Sequence, residues 1–298
     1  MPQQPSHGPA DTTAIKRATV AAVIPCFNDG PTLVEAVRSV QAEQRVDELV
    51  VVDDGSDDPH TLEVFASLQA EGIPVVHRPN GGLGAARMTG VLATSGEYVF
   101  CLDADDRLVA GALPQLARAL DDDDGLALVW GDYRLFGDHS WRQETAPSLD
   151  PWQISYQNDI PASVLIRRSV LISEGGWELR GGYEDWDMLM GLAERGRRGL
   201  RVPTVVYEYR QHGVRMLGES AGRHAEIYAL LRSRHPALFE RRRSAFARSD
   251  APWRLKLALP VIFALPLGAD RRRLIAGAVC HLARGRGLRL LVRRVRTG

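Results

Sequence analysis

Short apolar runs of strand length alternate with longer amphipathic segments over the first hundred residues. Four runs match strands buried on both faces of a parallel sheet: residues 19–25, 48–53, 73–77 and 97–102. Gly30-Pro31 and Asp58-Pro59 are helix-start signals after the first two runs, and glycines at 81, 82 and 84 precede a third helix. This alternation predicts parallel βαβ units with right-handed crossovers, and therefore an α/β fold whose mostly parallel, Rossmann-like sheet is flanked by helices.

Polar residues gather directly after these predicted strands. Asn28 follows the first strand, Asp53 and Asp54 end the second, and Asn80 follows the third. The fourth is followed by three carboxylates: Asp103, Asp105 and Asp106. Because open α/β sheets bind ligands beyond the carboxyl ends of their strands, the sequence predicts a binding site at this edge.

The three carboxylates after the fourth run suggest a cation site. If the strand continues through them, Asp103 and Asp105 point to the same face and can hold one hard divalent ion, Mg²⁺ or Mn²⁺. The alternative is that Asp106 caps a helix over residues 108–120 while its neighbours are merely solvated.

The pattern loosens in the second half of the chain, after an apolar run at residues 126–130. An acidic group, Glu184, Asp185 and Asp187, then stands at the predicted start of an amphipathic helix. Stabilisation of the helix macrodipole is one explanation for acids at this position, and catalysis is the other. Trp177 and Trp186 fit either core packing or stacking on a sugar, with Trp186 the better candidate for an acceptor site.

Composition indicates a globular protein that is neither fibrous nor disordered. With 298 residues, 45% of them hydrophobic, the chain can form one large α/β domain or a domain with an appendage. Residues 1–17 lack the apolar centre of a signal peptide and resemble a disordered tail. The cysteines, Cys26, Cys101 and Cys280, are far apart, so we expect reduced thiols and a cytoplasmic protein.

The formal net charge of zero conceals two oppositely charged parts. Residues 241–298 carry a net charge of +13, and residues 1–240 carry −13. The acidic body argues against a nucleic-acid partner, which would require a broad basic surface. We expect residues 236–298 to form a basic helical extension, which either lies on the anionic inner face of the cytoplasmic membrane or packs on the body with a solvated arginine face.

Five segments, in this order, resemble the family 2 inverting glycosyltransferases of the GT-A fold. They are Val23-Ile24-Pro25-Cys26-Phe27-Asn28, Val51-Val52-Asp53-Asp54-Gly55-Ser56, Asn80-Gly81-Gly82 with Ala86-Arg87, Gly96-Glu97-Tyr98 with Leu102-Asp103-Ala104-Asp105-Asp106, and Glu184-Asp185-Trp186-Asp187. The resemblance covers residues 18–215. It implies a glycosyltransferase domain over residues 18–235, with a nucleotide-binding half at 18–110 and an acceptor half at 111–235.

The resemblance also implies roles for individual residues. Asp185 would be the general base, and Glu184 would orient it or the acceptor. The metal ligands would be Asp103, Asp105 and His212, although His212 also fits a structural histidine. Donor contacts would come from Pro25, Phe27, Asn28, Asp53, Asp54, Asn80, Gly82, Arg87 and Asp103. A diphosphate leaving group also gathers negative charge, and either Arg210 or Arg87 could donate further hydrogen bonds to it.

The implied reaction is the metal-dependent, inverting transfer of one sugar from a nucleotide-sugar, with UDP as the expected nucleotide. The chain has no Gln-x-x-Arg-Trp sequence of the kind seen in processive synthases, which favours a single transfer. The acceptor would be a glycan or a lipid-linked molecule in cell-envelope or surface glycan synthesis. Two alternatives remain open: a nucleotidyltransferase that builds a sugar nucleotide, and a non-catalytic module that binds a glycan or nucleotide.

Overall fold

A computed structural model describes residues 17–137, 140–211 and 223–283. One mixed β-sheet forms the centre of the fold, and its first half is parallel. The strands of this half are β1 (Val20–Cys26), β2 (Glu48–Asp53), β3 (Val75–His77) and β4 (Tyr98–Cys101), in the spatial order β3-β2-β1-β4. All three strand pairs are parallel, as the sequence pattern predicts.

The second half of the sheet mixes directions. Its strands are β5 (Arg107–Leu108), β6 (Leu126–Gly137), β7 (Trp141–Gln143), β8 (Leu165–Arg167) and β9 (Arg198–Gln211). From β4 the order continues β8-β6-β9-β5, with β7 added on β6. β6 and β9 are parallel neighbours, whereas the other pairs in this half are antiparallel.

Helices cover the sheet and enclose a hydrophobic core on each face. They are α1 (Gly30–Gln41), α2 (Pro59–Ala70), α3 (Leu83–Ala93), α4 (Ala112–Asp122), α5 (Pro151–Ile154), α6 (Arg168–Ser173) and α7 (Glu184–Glu194). The predicted start of α2 is confirmed: the Asp58 carboxylate accepts a hydrogen bond of 2.8 Å from the backbone N–H of Thr61. In α3, a Cβ at Gly90 would lie 2.2 Å from Val23, so glycine allows this helix to approach the sheet closely.

Two expectations about the region after β4 are wrong. The strand ends at Cys101, so Asp103 and Asp105 lie in a turn and strand alternation does not determine their directions. The predicted helix over residues 108–120 begins at Ala112 instead, because Leu108 belongs to β5 and pairs with Tyr207 of β9. Asp106 is therefore not the cap of that helix.

Within residues 223–283, five helices follow the sheet: α8 (His224–Arg234), α9 (Pro236–Glu240), α10 (Arg242–Arg248), α11 (Trp253–Ala264) and α12 (Ala269–Ala283). They pack on the body, since a third hydrophobic cluster joins Leu255 and Leu259 of α11 to Trp152 and Tyr156. In the part of the chain that is described, no helix is both long enough and apolar enough to span a bilayer. The three cysteines are buried free thiols.

The buried carboxylate of Asp187 fastens α7 to the C-terminal helices. Asp187 accepts hydrogen bonds of 2.7 Å from Nε of Arg234 and 2.8 Å from Nε2 of His235. Burial raises the pKa of Asp187, but the bonds from His235 and Arg234 outweigh that effect, and the pKa lies below its usual value. This connection fixes the helix that carries Glu184 and Asp185.

We predict that Asp187→Asn lowers the free energy of unfolding by about 2 kcal/mol at neutral pH, because it removes a buried carboxylate that accepts hydrogen bonds from Arg234 and His235. Since the folded-state pKa of Asp187 is lowered, its contribution is complete above the unfolded value near 4 and declines as the pH falls. Denaturant unfolding at about pH 7 and about pH 4 measures the difference.

Glu178→Gln is the matched control, because Glu178 also accepts from Arg234 but is largely exposed. Its effect should stay below about 1 kcal/mol. Equal effects of the two substitutions, or an effect of Asp187→Asn that grows as the pH falls, would contradict the assignment.

Candidate functional site

The loops that follow β1, β2 and β3 are tied together by the polar residues that the sequence singled out. The Asn28 carbonyl accepts from the backbone N–H groups of Asp57 and Asp58, both at 3.0 Å, and its amide donates to the Asp57 carboxylate at 2.8 Å. Asn28 itself has a positive φ of 58°, which asparagine tolerates better than most residues. The first two strand ends therefore form one connected surface.

Asp53 and Asp54 hold the loops of this surface together through hydrogen bonds. Asp53 accepts from the backbone of Ser56 at 2.7 Å and contacts Nδ1 of His77 at 2.9 Å. Burial raises the pKa of Asp53, but the bonds from His77 and Ser56 outweigh burial and lower it overall. Asp54 pairs with Arg78 and accepts from the backbone N–H groups of the glycine loop: Gly81 at 3.1 Å and Gly82 at 2.7 Å.

The other predicted donor-site residues of these loops differ in accessibility. Phe27 and Asn80 are exposed beyond the strand ends, and Gly82 is exposed where it precedes α3, with a φ of 87°. Pro25, in contrast, is buried within β1, where it stands opposite Val52. Any contact from this position would therefore be made through its backbone.

The acidic turn after β4 is held by β9. The backbone N–H of Asp106 donates to the Asp103 carbonyl at 3.0 Å, which closes the turn. Asp106 is buried and accepts from the backbone N–H of Arg210 at 2.9 Å, and Nε of Arg210 donates to the Asp105 carbonyl at 2.8 Å. Burial and the charges of Asp103 and Asp105 raise the pKa of Asp106 well above its usual value. Asp106 and Arg210 therefore support the turn.

Arg87 of α3 connects this turn to the start of α7. One terminal nitrogen donates to Oδ1 of Asp103 at 2.8 Å, and the other donates to Oδ1 of Asp185 at 2.7 Å. Glu184 lies 3.6 Å from the same guanidinium, whose side chain is only 1% exposed. The structure thus brings the predicted donor-site acid and the predicted base together on a single buried cation.

The chain enters α7 through an unusual backbone. Gly181, Gly182 and Tyr183 have φ values of 86°, 111° and 60°, a left-handed run that glycine adopts readily and tyrosine rarely does. Helix α7 starts at the next residue, so Glu184 and Asp185 occupy its first turn. The turn places these two carboxylates beside Arg87 rather than in solvent.

Asp185 is held from two sides. Nε1 of Trp177 donates to Oδ1 at 2.9 Å, the same oxygen that accepts from Arg87. Within the described residues both donors to this carboxylate reach Oδ1, which leaves Oδ2 as the oxygen able to accept a proton. Burial raises the pKa of Asp185, and the negative charge of Asp103 adds to the rise, although Arg87 and Trp177 oppose it. A raised pKa suits a carboxylate that takes up a proton.

Trp177 and Trp186 are both core residues in this structure. Both are buried in the same hydrophobic cluster, and the indole N–H of Trp186 donates to the backbone carbonyl of Ile154 at 2.8 Å. The preference for Trp186 at an acceptor site is therefore wrong, since its ring is not available for stacking. The sequence did not reveal the contact of Trp177 with Asp185. It depends on Gly84, where a Cβ would lie 2.9 Å from the Cβ of Trp177.

The carboxylates fit a divalent cation only if a substrate supplies further ligands. Among the described residues no group of three or more His, Cys, Asp and Glu side chains forms a metal cluster. Asp103, 26% exposed, accepts from Arg87 on Oδ1 and keeps Oδ2 for another ligand, and Asp105 is half-buried on the same turn. One or two carboxylates with phosphate oxygens is a common Mg²⁺ site. His212, the third predicted ligand, lies outside the described residues.

Comparisons with known proteins agree with the motifs. The model of "Glycosyl transferase family 2" matches residues 21–173. An uncharacterised glycosyltransferase of Mycobacterium tuberculosis is 31% identical over 186 residues, which cover 60% of this chain and 81% of the relative.

Solved structures show the same fold at low sequence identity. S. aureus TarS (residues 1–349) in complex with UDP-GlcNAc has a TM-score of 0.60 and 16% identity, covering 89% of this chain and 81% of that one. GalNAc-T7 with UDP, GalNAc and Mn²⁺ has a TM-score of 0.56 and 18% identity, covering 66% and 45%. The GT-A fold predicted from the sequence is thereby confirmed.

Glu184 provides a test of the electrostatics around Arg87. Burial and the neighbouring Asp185 raise the pKa of Glu184 to about 7, despite the opposing charge of Arg87. A carboxyl group whose pKa is raised on folding lowers stability as the pH rises from its unfolded value, near 4.5, through its folded value. We therefore predict that Glu184→Gln stabilises the protein at about pH 8, by at most a few kcal/mol, relative to its effect at about pH 5.

Thermal unfolding of the wild type and Glu184→Gln at the two pH values measures this effect. The difference in Tm between variant and wild type should be more positive at the higher pH. A difference that does not change with pH, or that changes in the opposite direction, would show that Glu184 is ionised without cost beside Arg87.

Proposed function

Because the chain belongs to glycosyl transferase family 2, we propose that it transfers one sugar from a UDP-sugar to an acceptor hydroxyl, with inversion at the anomeric carbon. The observation that carries the proposal is the bridge from Arg87 to Asp103 and Asp185. This bridge supports the proposal because one buried cation joins the carboxylate expected to face the donor and the carboxylate expected to take up the proton. The family match favours this reaction over the nucleotidyltransferase alternative.

The donor would lie over the strand ends of the parallel half of the sheet. Asp53 and Asp54 hold the loops around the base-binding surface, and Phe27, Asn28 and Asn80 present their side chains on it. Gly82 exposes backbone to the donor, and Pro25 contributes only backbone. Arg87 acts indirectly, by orienting the carboxylate of Asp103. The UDP-GlcNAc and the UDP found in the two related structures support UDP as the nucleotide.

The cation would be Mg²⁺ or Mn²⁺, held by Asp105 and Asp103 with His212 as a further ligand. All-oxygen carboxylate donors suit these ions, and Mn²⁺ is present in the GalNAc-T7 structure. When bound, such an ion neutralises negative charge on a diphosphate leaving group. Asp106 and Arg210 would keep the turn that carries the ligands in place.

Asp185 would act as the general base. The acceptor oxygen forms a bond to the anomeric carbon from the face opposite the diphosphate, and the bond from that carbon to the diphosphate oxygen breaks with its electron pair. The hydroxyl proton passes to Oδ2 of Asp185, whose other oxygen is fixed by Arg87 and Trp177. Attack from the opposite face inverts the configuration of the anomeric carbon. Glu184 orients Asp185 or the acceptor.

The acceptor would be a glycan or a lipid-linked molecule of the cell envelope. The basic C-terminal region, with a net charge of +13 over residues 241–298, supports a cytoplasmic enzyme that works at the inner face of the membrane. A non-catalytic binding module would not need Asp103, Asp105 and Asp185 together, and the chain has all three.

We predict that the protein releases UDP from at least one member of a panel of UDP-sugars when Mg²⁺ or Mn²⁺ and an acceptor are present. Asp185→Asn should lower kcat by about 10²- to 10⁴-fold and leave UDP affinity nearly unchanged, because it removes only the base. Asp105→Ala should instead weaken cation-dependent UDP binding by at least about tenfold. Nucleotide-release assays and calorimetry measure the two effects, with GDP- and dTDP-sugars as controls.

The same assays separate the alternatives. Release of pyrophosphate from UTP and a sugar 1-phosphate, without UDP release from any UDP-sugar, would identify a nucleotidyltransferase, and UDP binding without turnover of any donor would identify a binding module. Near wild-type turnover by Asp185→Asn would rule out the proposed base. Retention of the donor's anomeric configuration in the product, measured by NMR, would rule out the one-step reaction.

A further inference from the structure

Helix α11 presents an apolar stripe to solvent. Trp253, Leu257 and Val261 are 66%, 62% and 60% exposed, and Leu265, directly after the helix, is also exposed. Residues spaced by four lie on one face of an α-helix, so these side chains form one continuous stripe. We call these four residues the outer stripe.

The opposite face of α11 is already used for packing. Leu255, Leu259 and Ile262 are buried, and the first two join the cluster that contains Trp152 and Tyr156. The helix contains Arg254 and Lys256 but no acidic residue. A helix that is apolar on two opposite faces, with only one of them packed, has a second face suited to a partner.

Helix α12, which packs against α11, also exposes apolar and basic residues. On α12, Leu274 is 61% exposed, and the adjacent Ile275 and Arg271 are exposed as well. Of the fourteen large hydrophobic side chains that are exposed in the described part of the chain, seven lie between residues 246 and 275. The other seven are scattered over the loop after β1, α1, α2, α3, α6, β9 and α8, so in the described part of the chain they concentrate only in this region.

The charge of this region favours an anionic lipid surface over a second copy of the chain as the partner that covers the outer stripe. A second copy of the chain, docked on the same face by a twofold axis, would bring together two regions whose described part, residues 241–283, carries a net charge of +7. An anionic lipid surface has the complementary charge and attracts basic residues by about 1 kcal/mol each. A largely exposed tryptophan next to leucine and valine is also typical of the membrane interface.

We propose that the outer stripe, with Arg254 and Arg271, is a docking surface for an anionic lipid bilayer. Helices α11 and α12 would lie in the plane of the interface with these side chains inserted among the headgroups and upper acyl chains. This mode of binding agrees with the lack of a membrane-spanning helix among the described residues. It specifies how the membrane contact of the proposed function is made, and its failure would leave the proposed chemistry standing, because no residue of the donor or base site takes part.

Packing couples this surface to the catalytic region. Phe263 of α11 contacts Tyr228 of α8, with ring centroids 5.9 Å apart, and Tyr228 contacts Trp186 of α7 at 5.6 Å. Trp186 follows Asp185 directly in the chain. Docking would therefore hold α7, the helix that carries Asp185, at a fixed position relative to the bilayer. An enzyme with a lipid-linked acceptor requires such a fixed position.

Vesicle co-sedimentation of the full-length protein tests the proposal. The wild type should bind vesicles of phosphatidylcholine with about 30% phosphatidylglycerol and bind vesicles of phosphatidylcholine alone much more weakly. The variant Trp253→Gln, Leu257→Gln, Val261→Gln should bind the anionic vesicles at least about 30-fold more weakly, because three apolar side chains no longer insert.

The matched control carries Leu62→Gln, Leu92→Gln and Ile172→Gln, three exposed apolar residues on α2, α3 and α6. It should bind like the wild type. Circular dichroism and thermal unfolding verify that both variants are folded, as expected for exposed positions.

A third variant, Arg254→Gln with Arg271→Gln, should weaken binding mainly at low salt. The proposal is overturned if the wild type does not sediment with anionic vesicles, or if both triple variants bind equally well. It is also overturned if light scattering shows a wild-type dimer that the outer-stripe variant converts to a monomer, because a second copy would then cover the surface.

Discussion

A guanidinium group that is almost completely removed from water must be surrounded by negative charge, and Arg87 meets this requirement with carboxylates from two distant parts of the chain. Asp103 comes from the turn after β4, and Asp185 comes from the first turn of α7. Because an unpaired buried cation is costly, the chain cannot adopt this packing without bringing the two acids together. The relative position of the two acids therefore follows from the stability of the core.

Asp103 and Asp185, the two acids that pair with Arg87, are each held in place by further contacts. Asp106 and Arg210 fix the turn on one side, so that Asp103 and Asp105 project from a supported backbone. On the other side, Trp177 fixes Asp185, and the pair of Asp187 with Arg234 and His235 fastens α7 to the C-terminal helices. The same C-terminal helices carry the outer stripe, so the proposed membrane surface and the proposed base are parts of one packed unit.

The parallel half of the sheet could be predicted from the sequence because its strands are continuous apolar runs with clear helix-start signals between them. That the loops after β1, β2 and β3 lie close to one another could also be predicted, because the carboxyl ends of parallel strands meet at the same edge of a sheet. The region around β5 could not be predicted, since Leu108 looks like a helical residue until it pairs with Tyr207, a partner about a hundred residues away. The role of Arg87 could not be predicted either. In the sequence its position fits a residue that binds the phosphates of the donor, and only the folded structure shows that it pairs with Asp103 and Asp185. The sequence could not show that Trp186 is a core residue, because an aromatic residue beside an acidic motif looks the same in sequence whether it faces the core or a sugar.

The most direct test of this account is a comparison of Arg87→Lys with the wild type in three measurements: thermal unfolding, UDP affinity in the presence of Mn²⁺, and the single-turnover rate with saturating donor. Lysine keeps the buried positive charge but cannot donate to both carboxylates with the fixed geometry of a guanidinium. The account predicts a folded variant in which donor affinity and the chemical rate both fall by at least about tenfold, because Asp103 and Asp185 each lose their orientation. A variant that retains the wild-type rate and UDP affinity would contradict the claim that this bridge organises the site.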